Sequence, residues 1–177
     1  MRKIKLYIAM SLNGKIARKG GEVDWLEAIP NPAQSDYGYE EFYKSIDATI
    51  MGKKTYNQIM SWGIDFPYTG KKNYVFTSNT ELKNTEHVNF VSENHLDLIN
   101  KIKKEEGKNI WLIGGGNLNS VLIEENLIDE MIVFVMPIVL PNGISLFDTF
   151  LTDKSIQLKS TKSYSSGVVQ LVYSLKS

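Results

Sequence analysis

The sequence predicts an α/β protein: a twisted, mostly parallel mixed sheet with helices on both faces, ending in an antiparallel hairpin. Three observations lead there. First, a four-residue apolar run, Ile110–Ile113, opens directly into Gly114, Gly115 and Gly116, then into a segment of helical periodicity and a second apolar run, Met131–Met136, ended by Pro137. A run so short and apolar on both faces suits a central strand of a parallel sheet. Second, strand-like and helix-like stretches alternate through residues 46–136. Third, residues 156–164 and 168–175 alternate apolar with polar and are joined at Ser165, Ser166 and Gly167, which predicts a hairpin. Strands alternating with helices and then paired with each other make a mixed sheet.

In chain order, Lys3–Met10 is the first expected strand, with Ile4, Leu6, Ile8 and Met10 alternating with Lys3, Lys5 and Tyr7. Asn13-Gly14 is a strong turn dipeptide. Residues 18–35 are polar and turn-rich, a long connection with at most a brief turn around Trp25, and loops of that length inside a compact domain are usually functional. A helix is expected over Asp36–Ser45, capped by Ser35 and carrying Tyr39, Phe42, Tyr43 and Ile46 on one face. Ala48–Met51 is a buried strand ended by Gly52, and Lys53–Met60 the next helix. Asn73–Thr77 and Val88–Val91 are further strands; Glu93–Glu106 is a helix with Leu96, Ile99 and Ile102 inward and Gly107 as its stop. Asn117–Asn126 is a helix packed on the sheet through Leu118, Val121 and Leu122.

Composition narrows the functional classes. The 177 residues suit one domain, 1–177, and ordinary apolar and charged fractions set aside disordered and fibrous chains. Twenty basic residues balance twenty acidic ones, so there is no electrostatic case for nucleic acid or an anionic membrane as partner. No cysteine is present, which excludes disulfides, thiolate metal sites and a cysteine nucleophile. His87 and His95 lack metal-ligand spacing, so no metal is expected. No apolar run reaches the ~20 residues of a membrane span and the N-terminus lacks a signal-peptide core, so a cytoplasmic protein is expected.

Anion chemistry recurs at the expected strand ends. Three glycines between a strand and a helix expose backbone N–H groups at the positive end of a helix dipole, a seat for phosphate, although such a run can equally be only a tight turn. Lys53 and Lys54 at a helix start face that positive end at a cost of roughly 0.3–1 kcal/mol each. A bound anion reverses the sign, so Lys53, Lys54 and Thr55 read better as phosphate ligands than as solvated lysines. Thr77, Ser78 and Asn79 could hold another phosphate or could simply be turn residues. In sheets of this class ligands sit beyond the carboxyl ends of the strands, where all these motifs converge.

The same motifs carry a resemblance. Gly114–Gly116, then Leu127–Glu130, Pro137, Leu140–Gly143 and Leu146-Phe147 resemble the reductase domain of the bacterial riboflavin-biosynthesis deaminase/reductase, a member of the dihydrofolate reductase superfamily. Ser11–Ala17 resembles that family's S-L-D-G-x-I-A and Gly52–Tyr56 its G-R-x-T-Y, in the family's order, over residues 9–147. The resemblance implies a dihydrofolate-reductase-like fold and NADPH as cofactor. It places cofactor contacts at Ala9, Asn13, Gly14, Ile16 and Ala17, where the loop closes over the nicotinamide; at Gly52, Lys53, Lys54 and Thr55; at Thr77 and Ser78 around the 2′-phosphate; and at Ile113, Gly114, Gly115, Gly116, Asn117 and Leu118. Counted back from Met51-Gly52, Asp36 falls at the superfamily's substrate-binding carboxylate and is the candidate catalytic acid; its other reading is a first-turn acid stabilising a helix. A homodimer is expected, with the terminal hairpin as its contact.

The substrate half departs from the family. Phe134 stands where a threonine neighbours the carboxylate, and Asn119 where an aromatic residue stacks near the nicotinamide, which argues against folate. Ile113, Tyr7 and Asn13 replace a glutamate, a lysine and an aspartate of the riboflavin reductases. Three readings follow: an NADPH-dependent reductase of a small planar heterocycle, the riboflavin-pathway 5-amino-6-(5-phosphoribosylamino)uracil reductase, or an NADPH-binding module without catalysis.

Overall fold

The computed structural model of the chain describes residues 1–149 and 152–175. Its strands are β1 (Ile4–Ser11), β2 (Lys15–Ala17), β3 (Ile46–Gly52), β4 (Lys72–Phe76), β5 (Val88–Val91), β6 (Asn109–Gly114), β7 (Glu130–Met136), β8 (Ile144–Ser145), β9 (Gln157–Ser163) and β10 (Val169–Ser174). Its α-helices are α1 (Tyr39–Lys44), α2 (Lys53–Met60), α3 (His95–Lys104) and α4 (Gly116–Glu124), with a 3₁₀ turn at Asp24–Leu26. The main sheet runs β5-β4-β3-β6-β1-β7-β10-β9, and β2 pairs with β8 beside it. Every pairing from β5 to β7 is parallel, while β10 is antiparallel to both β7 and β9. This is the expected mixed sheet with its terminal hairpin.

The two faces of the central strands choose their helices. Ile4, Leu6, Ile50, Ile110 and Leu112 pack with Ile99 and Ile102 of α3 and with Leu122 and Ile123 of α4. On the opposite face Ile46, Met51, Val75 and Trp111 pack with Phe42 of α1 and Ile59 of α2. Ile50 and Leu112 are fully buried, and each such side chain contributes about 1.5–3 kcal/mol of transfer free energy. One polar bridge joins buried strands: Thr49 Oγ1 donates to Asn73 Oδ1 at 2.7 Å while Asn73 Nδ2 donates to the carbonyls of Tyr68 and His87. With its hydrogen bonds made, Asn73 sits on β4, one strand in from the sheet's edge, without the cost of an unpaired buried amide.

Two helices differ from the sequence expectation. α1 begins at Tyr39, because Gly38 takes a left-handed φ of 82° and breaks the helix expected from Asp36. Ser35 therefore caps nothing; its hydroxyl accepts the N–H of Tyr37 at 3.0 Å. In α4 the inward face is Asn119, Ser120, Leu122 and Ile123, while Val121 is 42% exposed. Polar Asn119 and Ser120 turn inward because they tie down the loop after β8. Asn119 Nδ2 donates to Leu146 O at 2.9 Å, and Ser120 Oγ accepts the N–H of Asp148 at 2.7 Å. No helix among the described residues is long and apolar enough to cross a membrane.

Candidate functional site

Strand register brings the distant motifs level. Met51 of β3 lies opposite Gly114 of β6, Gly52 opposite Phe76 of β4, and Ala9 of β1 opposite Phe134 of β7. The carboxyl ends of these strands form one rim, and along it runs a cleft of about 1760 Å³. Single small-molecule sites occupy ~300–1,000 Å³. The cleft is therefore large enough for an extended ligand with a second one beside it.

Two helices point their N-termini into it. α2 starts at Gly52 and α4 at Gly115, and among the described residues no side chain caps either start. The first turns thus present N–H groups without intrahelical partners, together with the positive ends of two dipoles. They are neighbours: a Cβ placed on Gly115 would lie 3.4 Å from Thr55 Oγ1. Gly116 is a packing necessity, since a Cβ there would come within 2.3 Å of the Ser145 carbonyl oxygen.

Most residues singled out in the sequence meet along this cleft. Ala9, Ile16, Ala17, Gly52, Lys53, Lys54, Thr55, Thr77, Ser78, Ile113, Gly115, Gly116, Asn117 and Leu118 line it. The Lys53 ammonium donates to Asn57 Oδ1 at 2.6 Å and lies 4.6 Å from the centre of the Tyr56 ring, which draws it along the helix, while Lys54 is exposed. Thr77 is buried, and its hydroxyl accepts the N–H of Asn79 at 3.0 Å, so it shapes the turn that presents exposed Ser78.

Three expected contacts lie elsewhere. Asn13, Gly14 and Gly114 do not line the cleft. The Asn13 amide is spent on the chain itself, donating to Leu140 O at 2.7 Å and accepting from Leu140 N at 3.1 Å and from Ser11 Oγ at 2.8 Å. It staples the loop after β1 to the loop after β7, and so positions Ile16 and Ala17 indirectly. Gly14 O accepts the N–H of Leu146 in the same junction. Asn119, which stands where the family has an aromatic residue, is fully buried beneath the glycine turn.

The candidate acid sits beside a smaller pocket with Tyr7, Tyr37, Tyr39 and Phe134. Asp36 Oδ2 accepts the N–H of Glu40 at 3.0 Å and Oδ1 that of Gly38 at 2.9 Å. These two bonds hold its carboxyl below the usual carboxylate range, so it is ionised at neutral pH. Both sequence readings of Asp36 therefore meet in one residue: it caps α1 and it faces a pocket. Its ionisation weighs against service as an acid.

Sequence reasoning missed two walls of the cleft. Ser92, His95 and Leu96 line it from the corner between β5 and α3, with the His95 ring stacked 4.6 Å from Phe76. Gly143, Ile144, Ser145 and Asp148 line it from the β8 side. The Leu140–Gly143 motif marked that second wall, but its pairing with β2 has no local signature.

Comparison with known proteins agrees with this architecture. A family model described as the RibD C-terminal domain matches residues 2–170. The chain is 40% identical over 172 residues to the uncharacterized protein YwjB of Bacillus subtilis (strain 168), covering 97% of each. It is 36% identical over 186 residues to the uncharacterized YyaP of the same organism, covering 97% of this chain and 94% of that one. A Shewanella sp. PV-4 structure provisionally assigned to riboflavin biosynthesis superposes with a TM-score of 0.88 at 30% identity, over 99% of both chains. Two more distant structures share the fold. One is the diaminohydroxyphosphoribosylaminopyrimidine deaminase/5-amino-6-(5-phosphoribosylamino)uracil reductase of Thermotoga maritima, with a TM-score of 0.74 at 16% identity over 99% of this chain and 57% of that one. The other is the Enterococcus faecalis dihydrofolate reductase solved with NADP(H) and RAB-propyl, with a TM-score of 0.69 at 15% identity over 99% and 97%. With a reductase-type fold and a matching family model over nearly its whole length, the chain belongs to the RibD C-terminal domain family.

Proposed function

We propose that the chain is an NADPH-dependent reductase of a small planar heterocycle. The observation that carries this reading is the meeting of two uncapped helix N-termini inside one cleft too large for a single small ligand. The N–H groups of Gly115–Asn117 and of the first turn of α2 suit the pyrophosphate, with Lys53 and Lys54 adding positive charge. Ser78 and Asn79, just beyond the end of β4, would meet the 2′-phosphate. Ala9, Ile16, Ala17 and Ile113 supply small or flat apolar surface for the nicotinamide. The bound cofactor would supply the hydride; the protein holds it, excludes water and presents the acceptor beside Tyr7 and Phe134.

Calorimetry with NADPH and NADH tests the cofactor, and loss of NADPH absorbance with a panel of planar heterocycles tests turnover. Absence of heat at millimolar NADPH would remove the proposal. Tight binding without turnover on any acceptor would favour the non-catalytic module, the reading toward which the ionised state of Asp36 leans. Turnover with 5-amino-6-(5-phosphoribosylamino)uracil would place the chain in the riboflavin pathway.

A further inference from the structure

Beside the cleft, and sharing Tyr7, Ala9 and Leu26 with it, lies a pocket of about 260 Å³, room for one or two fused rings. Tyr7, Tyr37, Tyr39 and Phe134 make four of its walls. Their ring centres stand 4.9 Å (Tyr7–Phe134), 6.1 Å (Tyr37–Phe134) and 6.2 Å (Tyr7–Tyr39) apart, at interplanar angles of 58°, 64° and 59°. These rings are inclined to one another, and Tyr7 is backed by Phe42, stacked 4.2 Å away at 19°. Asp36 is the one charged residue among the described lining residues, and its carboxylate accepts the N–H groups of Gly38 and Glu40. Lys162, whose charge Asp36 feels, is exposed, outside the lining, and lies 4.7 Å from the centre of the Tyr164 ring.

Aromatic faces carry the negative side of a quadrupole and attract cations, and a carboxylate adds to that field. A phosphate placed here would meet aromatic rings and a carboxylate with no cation in the lining. The lining side chains are also weak proton donors at neutral pH. Asp36 is already ionised, burial pushes the phenols of Tyr7 and Tyr39 up, and the Tyr37 hydroxyl donates to Ser166 Oγ at 3.0 Å. Hydride addition to a neutral C=N bond needs a proton as well, and these side chains would give theirs up reluctantly.

We infer that this pocket takes a flat nitrogen heterocycle already carrying positive charge at its C=N bond, and that the chain reduces iminium-type cations in preference to neutral or phosphorylated rings. The inference rests on the NADPH reading for the hydride. In the step itself the ring carbon of the C=N⁺ unit accepts a hydride from the nicotinamide and a C–H bond forms. The π pair moves onto nitrogen as a lone pair, the ring becomes a neutral amine, and the nicotinamide takes up the positive charge. No proton is required. The neutral product loses its attraction to Asp36 and the aromatic walls, which favours its release.

Binding is measured first, on the protein without cofactor, by calorimetry with N-methylisoquinolinium and with neutral isoquinoline at mildly alkaline pH. The cation is expected to bind about tenfold or more tightly. Asp36→Asn removes the carboxylate's charge, and Tyr39→Leu removes a partly exposed wall outside the core; each is expected to weaken the cation by several-fold and leave isoquinoline unchanged. Reduction is then followed with NADPH and N-methyl-3,4-dihydroisoquinolinium, expected to proceed at a rate independent of pH between about 6 and 9, since no proton transfer enters the step. Equal or tighter binding of the neutral ring, or of a ring phosphate, overturns the inference. So do variants that bind the cation like the parent, and NADPH binding without reduction of the cation. Cation binding with no NADPH binding would instead overturn the cofactor reading and the reduction, leaving the selectivity of the pocket intact.

Discussion

Replacing Gly115 and Gly116 one at a time separates the proposed anion seat from the packing beneath it. Gly115 lines the cleft at the start of α4 with an unexceptional φ of −91°, and a Cβ there would sit 3.4 Å from Thr55 Oγ1, at the edge of ordinary contact. Gly115→Ala should therefore fold, yet its methyl would stand between the two helix N-termini. Losing one hydrogen bond to a charged group costs about 1.5–3 kcal/mol. At 1.4 kcal/mol per decade the Kd for NADPH rises roughly tenfold to hundredfold. Gly116→Ala is different in kind, because its Cβ would meet the Ser145 backbone oxygen at 2.3 Å and neither helix nor strand can move aside cheaply. Overpacking of that sort costs about 1–3 kcal/mol, or about 2–12 °C in Tm for a chain of this size. The assays are calorimetric titration with NADPH and thermal melting of both variants. If Gly115→Ala bound NADPH within a factor of about two of the parent while melting normally, the helix starts would not be the anion seat.

Four further outcomes are expected. Ser78→Asp, placing a carboxylate where the 2′-phosphate would lie, should weaken NADPH much more than NADH, which a pair of titrations checks. The Asp36 carboxyl has a depressed pKa in the folded chain, so it contributes stability above its ordinary value near 4 and loses that contribution as pH falls through the folded value. Asp36→Ala should thus melt below the parent at pH 7 and converge with it in strong acid, in melts run across that range. Lys103 is 4% exposed and donates to Asp129 and to Leu127 O. Asp129→Asn leaves that buried ammonium without its counter-charge and should lower Tm by about 10 °C. Finally, β9 is exposed along its whole length at the edge of the sheet. An open edge is a template for pairing with a second copy, so light scattering should report a homodimer, and Leu158→Lys should shift it toward monomer.

Much of the fold was legible in the residues. Alternating apolar runs and amphipathic stretches marked β3, β4, β6 and β7 with α2, α3 and α4 between them, because strand and helix periods are local properties of a chain. The glycine run and the lysine pair marked the edge where a ligand would lie, since the first turn of a helix carries its charge whatever packs around it. What local sequence could not say was where polar side chains would spend their hydrogen bonds. Asn13 read as a cofactor contact and is a staple to Leu140; Asn119 read only as a replacement for the family's aromatic residue and is a buried tie to Leu146. Asp36 read as the first residue of a helix and lies outside it, because Gly38 turned left-handed.

The pocket of Tyr7, Tyr37, Tyr39 and Phe134 belongs wholly to the tertiary structure. Its walls come from β1, the loop before α1, the start of α1 and β7, and no window of sequence holds more than two of them. Periodicity and turn chemistry act over a few residues, so the chain alone determined its elements and the end of the sheet where anions are welcome. Hydrogen-bond pairing and the meeting of side chains act through space between residues far apart in the chain, such as Asn13 and Leu140, 127 residues apart, and only the folded chain decides them.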